Sequence, residues 1–165
     1  MKGEWEQYKT LSPRFNLGFM SELVLSSKNL MNNYTASVLQ APAFTPTPHS
    51  QIVFNEAFRA NQYVAFGLSP IWKFSKLLHF RLDMYGFAPL YEIKKKEIWD
   101  NKTYTAVPYY GKFLRSFEYM GEAALVLQLP FASISLYANG YSYPAKNFNF
   151  GLNIGYLIFN QKMLD

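Results

Sequence analysis

Cysteine is absent from the 165 residues. That excludes a disulfide framework, a thiolate nucleophile and a cysteine metal site, and leaves the redox compartment unread. Charge is scarce as well: 16% of residues are charged, against about 25% in ordinary soluble domains. Nothing approaches the roughly 18 to 20 consecutive apolar residues that a transmembrane helix needs. If this protein meets a membrane, it does so with strands. The opening MKGEWEQYKT has no apolar core behind its lysine and does not read as a secretory signal peptide. Either the protein stays in the cytoplasm or this is part of a longer chain. Hydrophobic residues are plentiful at 50%, and aromatics reach 19%, with 13 Tyr and 15 Phe. Such a chain is neither disordered nor of low complexity. Its length suits one domain, expected over residues 1–165. The net charge of +5 comes from scattered lysines and arginines, so no nucleic-acid stripe and no nucleic-acid partner are expected.

Alternation of period two runs through most of the sequence. Ala60, Gln62, Val64, Phe66, Leu68, Pro70 and Trp72 form one largely apolar face, opposite Arg59, Asn61, Tyr63, Ala65, Gly67, Ser69 and Lys73. Leu78, Phe80, Leu82 and Met84 alternate with His79, Arg81, Asp83 and Tyr85. The same division recurs with Phe117, Tyr119, Leu125 and Leu127 against Glu118, Glu122 and Gln128, and with Leu152, Ile154 and Tyr156 against Asn153 and Gly155. Near the start, Phe15, Leu17, Phe19, Leu23 and Leu25 oppose Asn16, Gly18, Met20, Glu22 and Val24. Soluble strands average about five or six residues, whereas tilted membrane strands need roughly 9 to 11. Several of these runs are of the longer kind.

The expected fold is therefore all-β: an antiparallel, up-and-down transmembrane β-barrel segment of about eight long strands, at 3–10, 14–26, 33–41, 59–74, 76–88, 112–129, 131–141 and 149–160. The stretches 42–58 and 89–111 are expected to be long loops. Short turns on one side and longer loops on the other is how outer-membrane barrels are arranged. On this reading the apolar faces meet lipid, and Glu22, Arg59, His79, Arg81, Asp83, Glu118 and Glu122 line the lumen as a polar network.

Carboxylates near His79 and Arg81 could serve acid and base roles, but an interior ion-pair network accounts for the same residues. His49 and His79 have no partner at recognised metal spacing, so no metal and no cofactor are expected. Gly67-Leu68-Ser69-Pro70-Ile71 lacks the second glycine and the following helix of a hydrolase nucleophile elbow. No catalytic residue is assigned. Lys94, Lys95 and Lys96 read as a solvated loop or as a contact for surface phosphates. Asn33-Tyr34-Thr35 and Asn101-Lys102-Thr103 match the short glycosylation pattern. The three prolines of Ala41–His49 stiffen a loop that could fold over or into a barrel mouth.

Three extended segments carry a family resemblance: VLQAPAFTPTPHSQIVFNEAFRANQYVAFGLSPIWKF, FEYMGEAALVLQLPFASISLYANGYSYP and NFNFGLNIGYLIFNQKMLD. Together they resemble the C-terminal region of bacterial patatin-like phospholipases, where a patatin hydrolase domain and a small periplasmic domain precede an outer-membrane barrel of the bacterial surface antigen type. The resemblance implies a Gram-negative outer-membrane location. It also implies contact with outer-membrane lipid and with the barrel-assembly machinery, and upstream patatin and periplasmic domains in the same protein. The closing strand resembles the assembly signal of such barrels, with Gly151, Tyr156 and Phe159 as signal residues, although residues 160–165 follow the last of these. Barrels of this type are expected to have about sixteen strands, so eight would make the C-terminal half.

The hydrolase's own motifs, as the resemblance implies them, are a Gly-x-Ser-x-Gly elbow, an Asp-Gly-Gly or Asp-Gly-Ala and a glycine-rich oxyanion loop. None of them occurs here. The expected function is a barrel that anchors or displays a lipid acyl hydrolase lying upstream. One alternative is a stand-alone eight-stranded porin-like or adhesin-like barrel, and another is a soluble lipocalin-like carrier. A homodimer is left open.

Overall fold

The computed structural model describes residues 1–100, 103–143 and 147–156. The protein is all-β and up-and-down. Its nine described strands are β1 (Lys2–Ser12), β2 (Phe15–Leu25), β3 (Gln62–Lys73), β4 (Leu78–Pro89), β5 (Tyr91–Asp100), β6 (Thr103–Phe113), β7 (Glu118–Gln128), β8 (Ala132–Tyr141) and β9 (Asn147–Tyr156). Seven of them share one sheet in the order β1-β2-β3-β4-β7-β8-β9, while β5 and β6 pair only with each other. Every neighbouring pair is antiparallel. Backbone bonds join Leu25 to Met1, Lys73 to Arg14, Leu90 to Gln62 and Gln128 to Leu77, and the register continues through Leu125↔Leu136 and Leu136↔Leu152. The order ends at β1 and β9, so the sheet is open among the described residues.

Three expectations of the sequence are corrected. Residues 33–41 are not a strand but carry helix α1 (Tyr34–Gln40). The Asn33 side chain accepts the backbone N–H groups of Thr35 and Ala36, satisfying donors that a helix start leaves orphaned. The glycosylation-like asparagine is thus a helix cap. Tyr34, Val38 and Ala41 lie at helical spacing, and they form a small apolar cluster with Leu30 and Ile93. The helix stops before Pro42, where Ala41 is extended, as proline requires of its predecessor. The stretch 42–58 is no plain loop either. It holds α2 (Pro48–Ile52), started by a reciprocal Thr47–Ser50 capping box with Pro48 in the first turn, and a 3-10 turn at Glu56–Phe58.

The third correction concerns residues 89–129. The expected long loop is the hairpin of β5 and β6, and the expected single strand 112–129 is split between β6 and β7. The break falls at Leu114, whose φ of 47° is left-handed, a conformation that few non-glycine residues adopt. The described strands number nine, seven in the main sheet and two in the hairpin, around the expected eight. The second glycosylation-like site, at Asn101, lies outside the described residues.

The chain divides into two compact units. The first comprises Met1–Glu6, Met20–Gly67 and Tyr85–Tyr119, and its centre is aromatic. Phe44, 1% exposed, stacks on Phe87 at 5.8 Å and meets Tyr63 and Tyr85 edge-on at 6.1 and 6.0 Å. The proline-rich stretch thus folds back onto the covered face of β3 and β4. The second unit comprises Gln7–Phe19, Leu68–Met84 and the described residues from Met120 onward. Its centre is a charged cluster on β4 and β7.

Candidate functional site

Period two assigns side chains to faces, and burial then tells which face is covered. On β3, Tyr63, Ala65, Gly67 and Ser69 are buried while Val64 and Phe66 are exposed. On β2, Gly18, Glu22 and Val24 are buried, while Phe19, Leu23 and Leu25 are exposed. On β7, Met120, Glu122 and Ala124 are each 3% exposed or less, whereas Tyr119 and Leu125 stand at 62% and 40%. Asp83 is buried beside exposed Met84, and Asn139 is buried near exposed Leu136. The face that carries the charged and amide groups is the covered one, and Val24, Tyr63, Ala65, Phe87, Met120 and Ala124 are buried there with them. The row of large apolar side chains left exposed on the other face departs from the pattern of a water-soluble sheet, whose apolar face is buried and whose polar face is wet.

Two polar clusters occupy the covered face. In the first unit, the Tyr63 hydroxyl donates to Glu22 Oε1 at 2.6 Å, and Lys2 Nζ lies 3.2 Å from the same carboxylate. β1, β2 and β3 are thereby joined side chain to side chain. In the second unit, the Arg81 guanidinium lies 2.6 Å from Asp83 Oδ2 and 3.3 Å from Glu122 Oε1. Glu122 stands directly opposite Asn139 in the ladder, and Asn139 opposite Asn149, whose amide N–H donates to it at 3.3 Å. This rung crosses β4, β7, β8 and β9. A buried carboxylate is tolerable only when it is paired in this way.

Glycine serves the same face by making room. A Cβ at Gly67 would come within 2.5 Å of the Tyr85 ring, and one at Gly151 would overlap the Tyr137 ring opposite it in the ladder. In each pair a tyrosine on one strand lies across a bare backbone on the next.

The expected polar residues are thus divided. Arg81, Asp83 and Glu122 come together; Glu22 instead joins Tyr63 and Lys2. His79 shares the face of Arg81 and is half-buried, and Glu118 is half-buried at the start of β7. Arg59 does not belong to the network. It follows the 3-10 turn, bonds the carbonyls of Leu39 and Ala41 at 3.2 and 3.3 Å, and lies 4.8 Å from the Phe54 ring. Its charge therefore caps the C-terminus of α1. Of the expected signal residues, Gly151 lies beneath Tyr137, Tyr156 pairs with Ala132 through its backbone, and Phe159 lies outside the described residues. Lys2 and Asn139 were not singled out from the sequence, because only the cross-strand register pairs them with Glu22 and Glu122.

The uncovered face carries no Asp, Glu, Lys or Arg at its alternate positions from Phe15 to Leu25, Val64 to Trp72, Leu78 to Met84, Phe117 to Leu127 or Phe148 to Ile154. At one end of the strands Trp72 meets Phe15 and Phe80 at 5.3 and 5.7 Å. Elsewhere on this face the Phe66 and Phe117 rings stack at 6.0 Å and lie over Gly86. Among the described residues no group of three His, Cys, Asp or Glu could hold a metal, and no helix is long and apolar enough to cross a membrane.

No protein-family model, curated protein or solved structure matches the chain.

Proposed function

We propose that this chain is a membrane-spanning part of an outer-membrane β-barrel that anchors a patatin-like phospholipase, with the acyl hydrolase and periplasmic domains lying in other parts of the same protein. The observation that carries the membrane reading is the apolar face left exposed on β2, β3, β4, β7 and β9, with Glu22, Asp83, Glu122 and Asn139 buried behind it. In a bilayer the exposed face contacts acyl chains and the sheet's hydrogen bonds satisfy the backbone. The strands of the main sheet run 10 to 12 residues, the length that a tilted membrane strand requires. The row of Phe15, Trp72 and Phe80 suits an interfacial aromatic girdle. The hydrolase part of the reading rests on the sequence resemblance.

Strand direction favours a share of a larger barrel over a complete small one. With six antiparallel neighbour pairs in a seven-stranded order, β1 and β9 run the same way, so they cannot close antiparallel on each other. Closure needs an odd number of further strands, and the covered face, occupied by Phe44 and two ion-paired clusters, suits an anchor better than an open conduit. The lipocalin-like alternative would leave few large apolar side chains on the uncovered face, and Phe66, Phe117, Leu125 and Leu136 there favour the membrane reading over it.

The test is an immunoblot of fractionated native cells with an antibody to the C-terminal peptide. A band several times heavier than the chain's 19.1 kDa in the outer membrane is the expected result. A band at the chain's own mass in that fraction would favour the stand-alone barrel, and a soluble band would overturn the membrane reading.

A further inference from the structure

The first unit holds a cavity of about 420 Å³, lined by the segment Ser26–Asn29 together with Asn61, Gln62, Tyr91 and Tyr110. Its size is in the range of small-molecule sites. No carboxylate lines it, and Lys28 supplies its one charge.

Its polar groups are held in place by bonds that leave other atoms open. Asn61, 5% exposed, donates its amide N–H groups to the Lys28 carbonyl at 3.0 Å and the Tyr110 hydroxyl at 2.8 Å. Gln62 donates to the Ser26 carbonyl at 3.3 Å. Both amides thus spend their nitrogens on fixing the wall. Among the described residues the Asn61 and Gln62 side-chain oxygens accept no hydrogen bond. The Ser27 and Tyr91 hydroxyls and the Asn29 amide likewise have no hydrogen-bond partner there. Beside them the Tyr91 and Tyr110 rings meet edge-on at 6.1 Å, each a little over two-fifths exposed.

We propose that this cavity is a saccharide-binding site. Carbonyl oxygens accept from sugar hydroxyls, serine and tyrosine hydroxyls both donate and accept, and amide groups complete the set. The apolar body of a tyrosine ring covers the C–H face of a pyranose, while its polar tip stays available for a hydrogen bond. The lysine, with no carboxylate beside it in the lining, favours a neutral or anionic sugar over an amino sugar. The site needs only the first unit, while the choice of an outer-membrane glycan as its ligand rests on the proposed function. The saccharide could be free or could be the headgroup of a glycolipid.

The test titrates the purified full chain, in one detergent, with deacylated lipopolysaccharide core oligosaccharide by calorimetry, and separately measures its flotation with phosphatidylcholine vesicles carrying intact lipopolysaccharide. Tyr91→Ala and Gln62→Leu should each weaken binding by about tenfold or more, while Tyr91→Phe, which keeps the ring and the fold, should retain most of it. Binding of the free oligosaccharide with this mutational pattern supports the site and makes the glycan sufficient. Binding of the intact glycolipid alone, again with this pattern, supports it and makes the headgroup the source. Absence of binding in both arms overturns the proposal, and so does binding indifferent to Tyr91→Ala and Gln62→Leu. Neither outcome touches the fractionation result.

Discussion

The β5–β6 hairpin and the seven-stranded sheet are made of the same antiparallel ladder, yet they distribute charge in opposite ways. On the hairpin, Lys94 pairs with Glu92 at 3.3 Å and Lys95 with Glu97 at 3.6 Å, and these side chains are 40% to 55% exposed. Tyr104 also donates to Glu97 at 3.1 Å, and that bond holds its phenol above the usual tyrosine range. On the sheet, the ion pairs of Arg81, Asp83 and Glu122 involve carboxylates only 4% exposed, and the large side chains exposed on β7 are Tyr119, Leu125 and Leu127, while β1 carries an exposed Lys2–Glu4 pair. Charge outward and a small apolar cluster inward is the arrangement for water. On β7 the arrangement is reversed, and the membrane proposal rests on that reversal.

The comparison is broken most severely by removing a buried charge. Arg81→Met leaves Asp83 and Glu122 facing each other under cover, and should cost about 3 kcal/mol or more, as uncompensated buried charges do. Lys95→Met, at an exposed pair on the hairpin, should cost under about 1 kcal/mol. Urea unfolding of the two variants in the same detergent reads the difference directly. Equal losses would mean that the covered face is wetter than its burial indicates.

Next in size is the exchange of solvents at the exposed positions. Leu125→Arg, at mid-strand on the uncovered face of β7, should cost about 2 to 4 kcal/mol of membrane insertion. Ile98→Arg on β5, opposite Thr105 and 43% exposed, should stay within about 0.5 kcal/mol. Heat-modifiable mobility after assembly into vesicles distinguishes them. If the Leu125 variant assembles as well as its parent, the uncovered face does not meet lipid.

These positions also show what the sequence could and could not disclose. The faces were legible because period two is local: Glu22, Asp83 and Glu122 each sit among residues that alternate with apolar ones, and each is buried. Which face was covered was not legible from alternation, which is the same for a soluble sandwich and a membrane sheet. Helix α1 was missed because seven residues carry too short a pattern, and its cap at Asn33 looked like a modification signal. Leu114 hid the break between β6 and β7, since nothing about a leucine announces a left-handed backbone. Arg59 was misassigned because its partners, the carbonyls of Leu39 and Ala41, come from a helix that had been read as a strand. The polar rungs needed the register, a long-range property: Lys2 and Tyr63 reach Glu22 from strands on either side of β2.

A third perturbation tests the close fit of tyrosine over glycine. Gly67→Val places a branched side chain where the Tyr85 ring lies, and should cost about 1 to 3 kcal/mol as overpacking. Gly3→Ala on β1, where a Cβ meets nothing within 4 Å, should be neutral within about 0.5 kcal/mol. Thermal melting compares the two at once.

The smallest expected effect is one of pH, and it belongs to the region that behaves as in water. His49 is the second residue of the single-turn helix α2, and burial holds its imidazole below the usual histidine range. The folded chain therefore resists protonating it while the unfolded chain does not. Because the unfolded state binds more protons there, the stability His49 contributes is intact above about pH 6.5 and declines as pH falls through the lowered folded value. Melting temperatures from pH 7.5 to 5 should accordingly fall less steeply in His49→Gln than in the parent. Identical slopes would mean that His49 is held no more tightly neutral in the folded chain than outside it.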